Sequence, residues 1–296
     1  MPDLNLVLSP RIVKGCLSCP VCGSGLHVSP DGRSLLCGGT RVHCFDGAAG
    51  GYVPLAPRHP GGGDSKEAVR ARTGFLRSGY YRQAADALCR IIRAHVPAGG
   101  LVLDAGCGEG YYTQLIAGSG YDVLGVDLSK FAVDAAAKSA AAARREDPAG
   151  PVNTVYAVGS IFELPARDAA FDAVANIFAP CAPGEFARVL KPGGVLIVAG
   201  AGPSHLLGLK KQLYDDPYLN DPRRDLPCEN DPFTLVDEET VTYDTVVTGR
   251  DDIAALFSMT PYYWRTSPAG KERLAGLDSL ETPVSFTFRV YRTTKN

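Results

Sequence analysis

The sequence predicts an α/β protein with a mostly parallel, seven-stranded sheet, preceded by a small metal-bound ribbon. Three observations predict it. From Leu101 onward, short apolar runs alternate with amphipathic stretches, the pattern of a parallel sheet covered by helices. The first run ends in VLDAGCGEG (102–110), a strand that turns sharply into a helix start. Five of the nine cysteines crowd between Cys16 and Cys44, ahead of that strand.

The ribbon comes first in the chain. Cys19-Pro-Val-Cys22 before Gly23 places two thiolates on a tight turn, and a tetrahedral metal site needs a second such pair. Cys37 supplies one member, and either His43 or Cys44 the other. Between the pairs, Leu26-His27-Val28 and Leu35-Leu36 read as a hairpin around Pro30-Asp31-Gly32. So short a segment cannot fold on hydrophobic burial alone, so the ion would act as its core. The first residues, MPDLNLVLSPRIVKG, carry an early acid and only a short apolar patch, a poor secretion signal. Clustered cysteines without such a signal indicate metal rather than disulfides, and a cytoplasmic location is expected. No apolar run approaches the roughly 18–20 residues that span a bilayer, so no membrane partner is expected.

Residues 54–66 (PLAPRHPGGGDSK) read as a linker, with Asp64 or Ser65 placed to cap a helix from Lys66 to Leu76. A second helix runs from about Arg82 to His95. Residues 1–55 are thus expected to form the ribbon and 56–296 the larger domain, with 56–98 as linker and helical lead-in. Charge follows a similar division: residues 1–100 carry 12 Lys/Arg against 6 Asp/Glu, and the remainder 18 against 26. A basic N-terminal third suits contact with a polyanion. Arg70, Arg72 and Arg77 could face a phosphate backbone or simply solvent.

In the glycine turn, one residue separates the second and third glycines, where the dinucleotide fingerprint has two. That departure points away from NAD and towards S-adenosylmethionine (AdoMet). Asp104 and the glycines at 106, 108 and 110 would form the turn, and the helix-start N–H groups favour an electronegative ligand atom. The run 121–126 ends in Asp127, placed to accept both ribose hydroxyls of a nucleoside. After a helix over 131–145, the strand 152–158 brings Gly159 and Ser160 near where an adenine would lie. The strand 171–176 then leads through Asn176 into the Phe178-Ala179-Pro180 turn, where the methyl acceptor would be positioned. A helix near 184–189, the turn LKPGG and a strand over 195–199 follow. GPSH (202–205) opens another helix to Leu213, and 214–233 reads as a lid or insertion. Strands over 240–247 and 284–292 flank a helix (251–258) and the segment MTPYYWR (259–265). There Tyr262, Trp264 and Arg265 could stack on an extruded base or close the core.

This order of features resembles the bacterial 23S ribosomal RNA (guanine-N1)-methyltransferase family. The shared pieces are CPVC, Cys37 and His43 before Phe45-Asp46, GYV (51–53), GDSKEAVRAR (63–72), GYY (79–81), VLDAGCGEGYYT, DLSK (127–130), APC (179–181), GPSHL (202–206) and MTPYYWR. The resemblance covers most of the chain. It implies a Rossmann-like AdoMet-dependent methyltransferase domain beside a structural zinc ribbon, acting on guanine N1 in a hairpin loop of 23S rRNA. It carries AdoMet contacts onto Tyr81, Gly108, Glu109 and His205, and zinc ligation onto Cys19, Cys22, Cys37 and His43. A homodimer is a further expectation. Two departures leave the fourth zinc ligand open: the second turn is longer than the family's usual one, and Cys44 follows the histidine. Two other classes stay open, a small-molecule methyltransferase whose ribbon serves assembly and a non-catalytic RNA-binding protein. Asp104, the three glycines and Asp127 argue against a decayed site.

Overall fold

The computed structural model describes residues 3–4, 8–56, 63–147, 150, 153–221 and 232–294. The N-terminal segment contributes helix α1 (Pro10–Cys16) and a three-stranded antiparallel sheet, β1 (Leu26–Val28), β2 (Ser34–Cys37) and β3 (Cys44–Asp46). The expected hairpin is present, with Leu26 opposite Cys37 and Gly32 in the left-handed region at φ 69°. The next strand, β4 (Val53–Pro54), does not belong to this small sheet.

The main sheet is built from β5 (Leu101–Ala105), β6 (Asp122–Asp127), β7 (Thr154–Val158), β8 (Phe171–Ile177), β9 (Leu190–Ala201), β10 (Phe233–Thr248) and β11 (Ser279–Thr293). With β4 its order is β10-β11-β9-β8-β5-β6-β7-β4. It therefore has eight strands rather than the seven expected, the eighth being β4, which pairs parallel to β7 at the edge. All pairs from β4 to β9 are parallel, while β9, β11 and β10 pair antiparallel. The central strands are apolar and buried on both faces, as a helix-covered sheet requires.

Helices α2 (Lys66–Arg77) and α3 (Arg82–His95) lead in. Then α4 (Tyr111–Gly118), α5 (Lys130–Glu146), α6 (Pro183–Val189), α7 (Leu207–Leu213), α8 (Arg250–Ser258) and α9 (Pro268–Ala275) connect the strands. Ser65 rather than Asp64 caps α2, its hydroxyl accepting from Ala68 N–H, and Ser129 caps α5 through Ala132 N–H. In α3, Ala84, Ala85, Leu88, Ile91 and Ile92 recur at helical spacing and are buried. Alternation along β5 divides the core between two faces. Val102 joins a cluster with Phe75, Leu88 and Phe286, whereas Leu101 and Leu103 join Ile12, Leu26 and Leu35 of the N-terminal segment. Among the described residues no helix is long and apolar enough to cross a membrane. The expected lid over 214–233 falls partly outside the described residues, as does Cys228.

Candidate active site

The glycine turn closes the carboxyl end of β5. Gly106, Gly108 and Gly110 all take positive φ, at 84°, 55° and 79°, where side chains are strained. A Cβ on Gly106 would come within 2.6 Å of the Ala179 methyl, so glycine there also lets the turn after β8 pack against this one. Gly106 and Cys107 N–H donate to Val126 O at 2.8 and 3.1 Å, tying the turn to the end of β6. Asp127 sits at that end. One of its oxygens accepts from Gly108 N–H at 3.0 Å and the other from Ser129 N–H at 2.7 Å. Both oxygens keep a further lone pair, so this pinned carboxylate can accept two more hydrogen bonds. Burial raises its pKa.

Asp104 lies deeper. Its carboxylate accepts from Thr113 Oγ1 at 2.5 Å, bracing the turn from inside. Burial, with help from Asp127 and Glu109 and against the Thr113 bond, pushes its pKa up to about 7. Its hydrogen bond to α4 makes it a brace of the turn. Glu109, 7% exposed, accepts from Arg72 Nε at 2.5 Å, and the same guanidinium pairs with Asp64. Ser160 follows β7, and its hydroxyl accepts from Phe162 N–H at 3.2 Å, shaping the corner beyond that strand.

Tyr81 and His205 come together with ring centroids 5.9 Å apart, both packed on Phe286. His205 Nδ1 accepts from Ser285 N–H at 3.2 Å, which places the ring proton on Nε2. Burial and the nearby Lys210 charge push its pKa down to about 3, so the imidazole is neutral. The Asn176 side chain donates to Ala105 O at 3.1 Å and to Pro180 O at 3.0 Å, bridging the ends of β5 and β8.

The ribbon cysteines also converge. One ligand atom from each of Cys19, Cys22, Cys37 and His43 lies within 4.8 Å of all the others. The Cys22 and Cys37 sulfurs are 3.7 Å apart, and His43 Nδ1 lies 3.6 Å from Cys19 Sγ and 3.4 Å from Cys37 Sγ. A zinc tetrahedron with bonds of about 2.3 Å to sulfur and about 2.05 Å to nitrogen has edges of about 3.8 and about 3.6 Å. These residues therefore fit zinc. Cys44 is exposed and directs its thiol to Asp46 at 3.8 Å, while Cys16 is buried in the core, so neither joins the cluster. Ser24 donors pull the Cys22 pKa down to about 6, favouring the thiolate that a metal needs.

A family model described as a methyltransferase domain matches residues 103–198, the glycine turn through β9. The 23S rRNA (guanine(748)-N(1))-methyltransferase of Streptomyces fradiae is 31% identical over 285 residues, covering 93% of this chain and 96% of its own. A relative from Micromonospora griseorubida, also named for 23S rRNA guanine-N1 methylation, is 31% identical and covers 93% of this chain and 95% of its own. The chain belongs to the 23S rRNA (guanine-N1)-methyltransferase family. Among solved structures, phosphoethanolamine N-methyltransferase 2 of Haemonchus contortus in complex with S-adenosyl-L-methionine is 17% identical, covers 78% of this chain and 58% of its own, and has a TM-score of 0.47.

The residues expected to meet RNA separate within the family fold. Arg70 is exposed on α2, whereas Arg72 faces the glycine turn and pairs with Glu109 and Asp64. The reason is helical: at 100° per residue, Arg72 stands about 200° around the helix from Arg70. Trp264 is 85% exposed and Arg265 is exposed, whereas Tyr262 is half-buried near Lys210. Lys210 itself escaped the sequence reading. It is fully buried, donating to Tyr218 O at 2.9 Å and Asn220 Oδ1 at 2.6 Å. The signal was present, because Lys210 shares the apolar stripe of Leu206, Leu209 and Leu213.

Proposed function

We propose that this chain methylates N1 of a guanine in a hairpin loop of 23S rRNA, using AdoMet bound over the glycine turn. One observation carries the reading. A single chain joins the Asp127 and glycine-turn cradle to a zinc-type cluster, and a relative named for guanine-N1 methylation of 23S rRNA matches 93% of it. Gly108, Glu109, Asp127 and Ser160 would hold the nucleoside side of the cofactor, with Asp104 and Gly106 setting the turn. Tyr81 and His205 would hold the amino-acid side. Bound there, AdoMet supplies a methyl group activated on a sulfonium.

The chain's own task is to hold guanine N1 in line with that methyl and let its proton leave. Glu109 is paired with Arg72, Asp104 is buried and bonded to Thr113, and His205 presents Nε2–H rather than a lone pair. None of the three is arranged as a base, so we assign catalysis to positioning by the Asn176, Ala179 and Pro180 turn, with water taking the proton. The cluster of Cys19, Cys22, Cys37 and His43 would hold a structural zinc. Residues 1–55 would act as a zinc ribbon and 56–296 as the methyltransferase domain. Arg70, Tyr262, Trp264 and Arg265 would meet RNA. Two copies of the chain would pair as a homodimer, and an rRNA substrate implies action in the cytoplasm.

The test is methylation of a 23S rRNA hairpin transcript by the purified protein, with nucleosides resolved by mass spectrometry and the mass of the protein measured by light scattering. N1-methylguanosine at one loop position is expected. Its absence, or methylation at another atom, overturns the reading.

A further inference from the structure

At the carboxyl edge of the sheet, strand order reverses between β5 and β8: the chain runs from β5 through β6 and β7 on one side, then returns to β8 and β9 on the other. Ligands of open α/β sheets bind at such a point. Asn176, only 1% exposed, spans it. Its amide nitrogen donates to both Ala105 O and Pro180 O, which fixes the orientation, because a flipped amide would set oxygen against two carbonyls. The Oδ1 atom is left buried without a hydrogen-bond partner. A buried acceptor with no donor is costly and rare in folded chains.

Two residues later, Phe178 holds a left-handed conformation at φ 50°, strained for a non-glycine residue. Its N–H donates to Ala199 O at 2.9 Å, and its ring packs edge-on to Phe286 with centroids 4.8 Å apart and lies 5.5 Å from His205. Even so, the ring is 49% exposed. A strained turn thus presents a half-open aromatic ring two residues from an orphan acceptor, at the end of the same strand. What it lacks is an N–H donor on a flat ring.

Resting on the proposed reaction, we infer that Asn176 Oδ1 accepts from the exocyclic amine of the acceptor guanine while Phe178 stacks on that base. The amine neighbours N1 on the same edge, so one hydrogen bond sets N1 in register. Adenine carries only C2–H at the corresponding place and cannot satisfy the oxygen. The same acceptor could instead take the ammonium group of AdoMet, which is the alternative the test must separate.

The experiment compares hairpin RNAs carrying guanosine or inosine at the target position. Inosine keeps N1–H and lacks the amine, so the wild-type arm needs no protein variant. With wild-type protein, inosine should lower kcat/KM by roughly 10- to 100-fold, the effect of leaving one buried acceptor unpaired. In Asn176→Ala the guanosine-to-inosine ratio should collapse to within about threefold of unity, while AdoMet affinity by calorimetry stays within about threefold of wild type. Phe178→Leu should lower kcat/KM about tenfold on both RNAs, and Phe178→Tyr should restore it. Equal wild-type rates on guanosine and inosine overturn the inference and leave the proposed reaction standing. A ratio preserved in Asn176→Ala also overturns it, and if AdoMet affinity falls with that ratio unchanged, the oxygen belongs to the cofactor's ammonium. Absence of N1-methylguanosine from the guanosine RNA with wild-type protein defeats the proposed reaction itself, and the inference with it.

Discussion

Arg72 provides the sharpest test of how the cofactor turn is held. Its guanidinium is sandwiched between Glu109 on the turn and Asp64 before α2, with side-chain exposures of 23%, 6% and 46% respectively. Burial opposes the Arg72 charge, but the two carboxylates outweigh it and raise its pKa. Removing one partner of a buried pair typically costs about 3–5 kcal/mol, because the other is left as an uncompensated charge. Arg72 is not wholly buried and the Asp64 contact is half-exposed, so Arg72→Met should cost about 2–3 kcal/mol. Glu109→Gln, which leaves Arg72 its Asp64 partner, should cost about 1–2 kcal/mol. The double variant removes both buried charges, so its cost should fall below the sum of the singles by at least about 1 kcal/mol. Urea unfolding at fixed pH measures all three, provided the slope with denaturant is unchanged between variants. Glu109 would also lose its fixed position, so AdoMet should bind Arg72→Met about tenfold more weakly, a loss of about 1.4 kcal/mol. A single-variant cost below about 0.5 kcal/mol with additive double-mutant energies would show the pair to be a screened surface contact, and the reasoning would fail.

Three further outcomes follow from the geometry. Purified protein should carry about one zinc per chain, lost in His43→Ala and retained in Cys44→Ser, because Cys44 points to Asp46; metal analysis that shows the reverse would exchange the fourth ligand. Burial holds His205 neutral with a pKa of about 3, while the unfolded chain protonates it near pH 6.5, so stability is lost as pH falls below about 6.5. Between pH 7 and 5 that loss should be about 2 kcal/mol larger in the wild type than in His205→Gln, and a difference below about 0.5 kcal/mol would refute the neutral, buried imidazole. Asp104, pushed up to about 7, acts in the opposite sense but is common to both proteins and cancels from the comparison. Trp264→Ala should weaken hairpin binding about tenfold in a filter assay with little change in folding stability, since the indole is 85% exposed; unchanged binding would remove it from the RNA surface.

The parts of the site readable from sequence are those where backbone geometry restricts residue type. The glycines at 106, 108 and 110 occupy positive φ, and Asp127 ends a strand whose register fixes where its carboxylate points. Local spacing carried that information. The misread parts depend on contacts distant in sequence. Two residues, Val53 and Pro54, give no strand signal of their own, and a proline is tolerated there because β4 is an edge strand. LKPGG reads as a turn before a strand, yet Leu190 already pairs with Phe171, and the register shifts before Ala173 meets Val195. The strand expected over 240–247 begins seven residues earlier, at Phe233, because Glu239 lies opposite Phe288 and Thr240 Oγ1 bonds Thr287 Oγ1 across the ladder at 2.9 Å. Helical period alone sets Arg70 and Arg72 on different faces of α2, while packing decides that the Arg72 face meets Glu109.

The relation between the ribbon and the cofactor crevice is a matter of backbone bonding rather than of a tether. Beside Cys19, Ser18 N–H donates to Pro165 O at 3.1 Å and Arg167 N–H donates to Cys16 O at 2.8 Å, while Leu17 forms a bridge with Ala166. Residues 165–167 continue from the Ser160 corner beyond β7, where the adenine of the cofactor is proposed to lie. Arg11 adds a pair with Asp122 at 2.6 Å, fastening α1 to the start of β6, whose other end carries Asp127. Leu26 and Leu35 of the ribbon share one apolar cluster with Leu103, Leu124 and Val155 of the main sheet. A flexibly linked ribbon would let bound RNA wander relative to the methyl donor and lose the positioning on which this chemistry depends. Here the Cys19 turn, the Ser160 corner and Asp127 are joined through main-chain bonds and a common core. A metal that ordered the Cys19 turn would therefore also order the backbone leading to the proposed cofactor site.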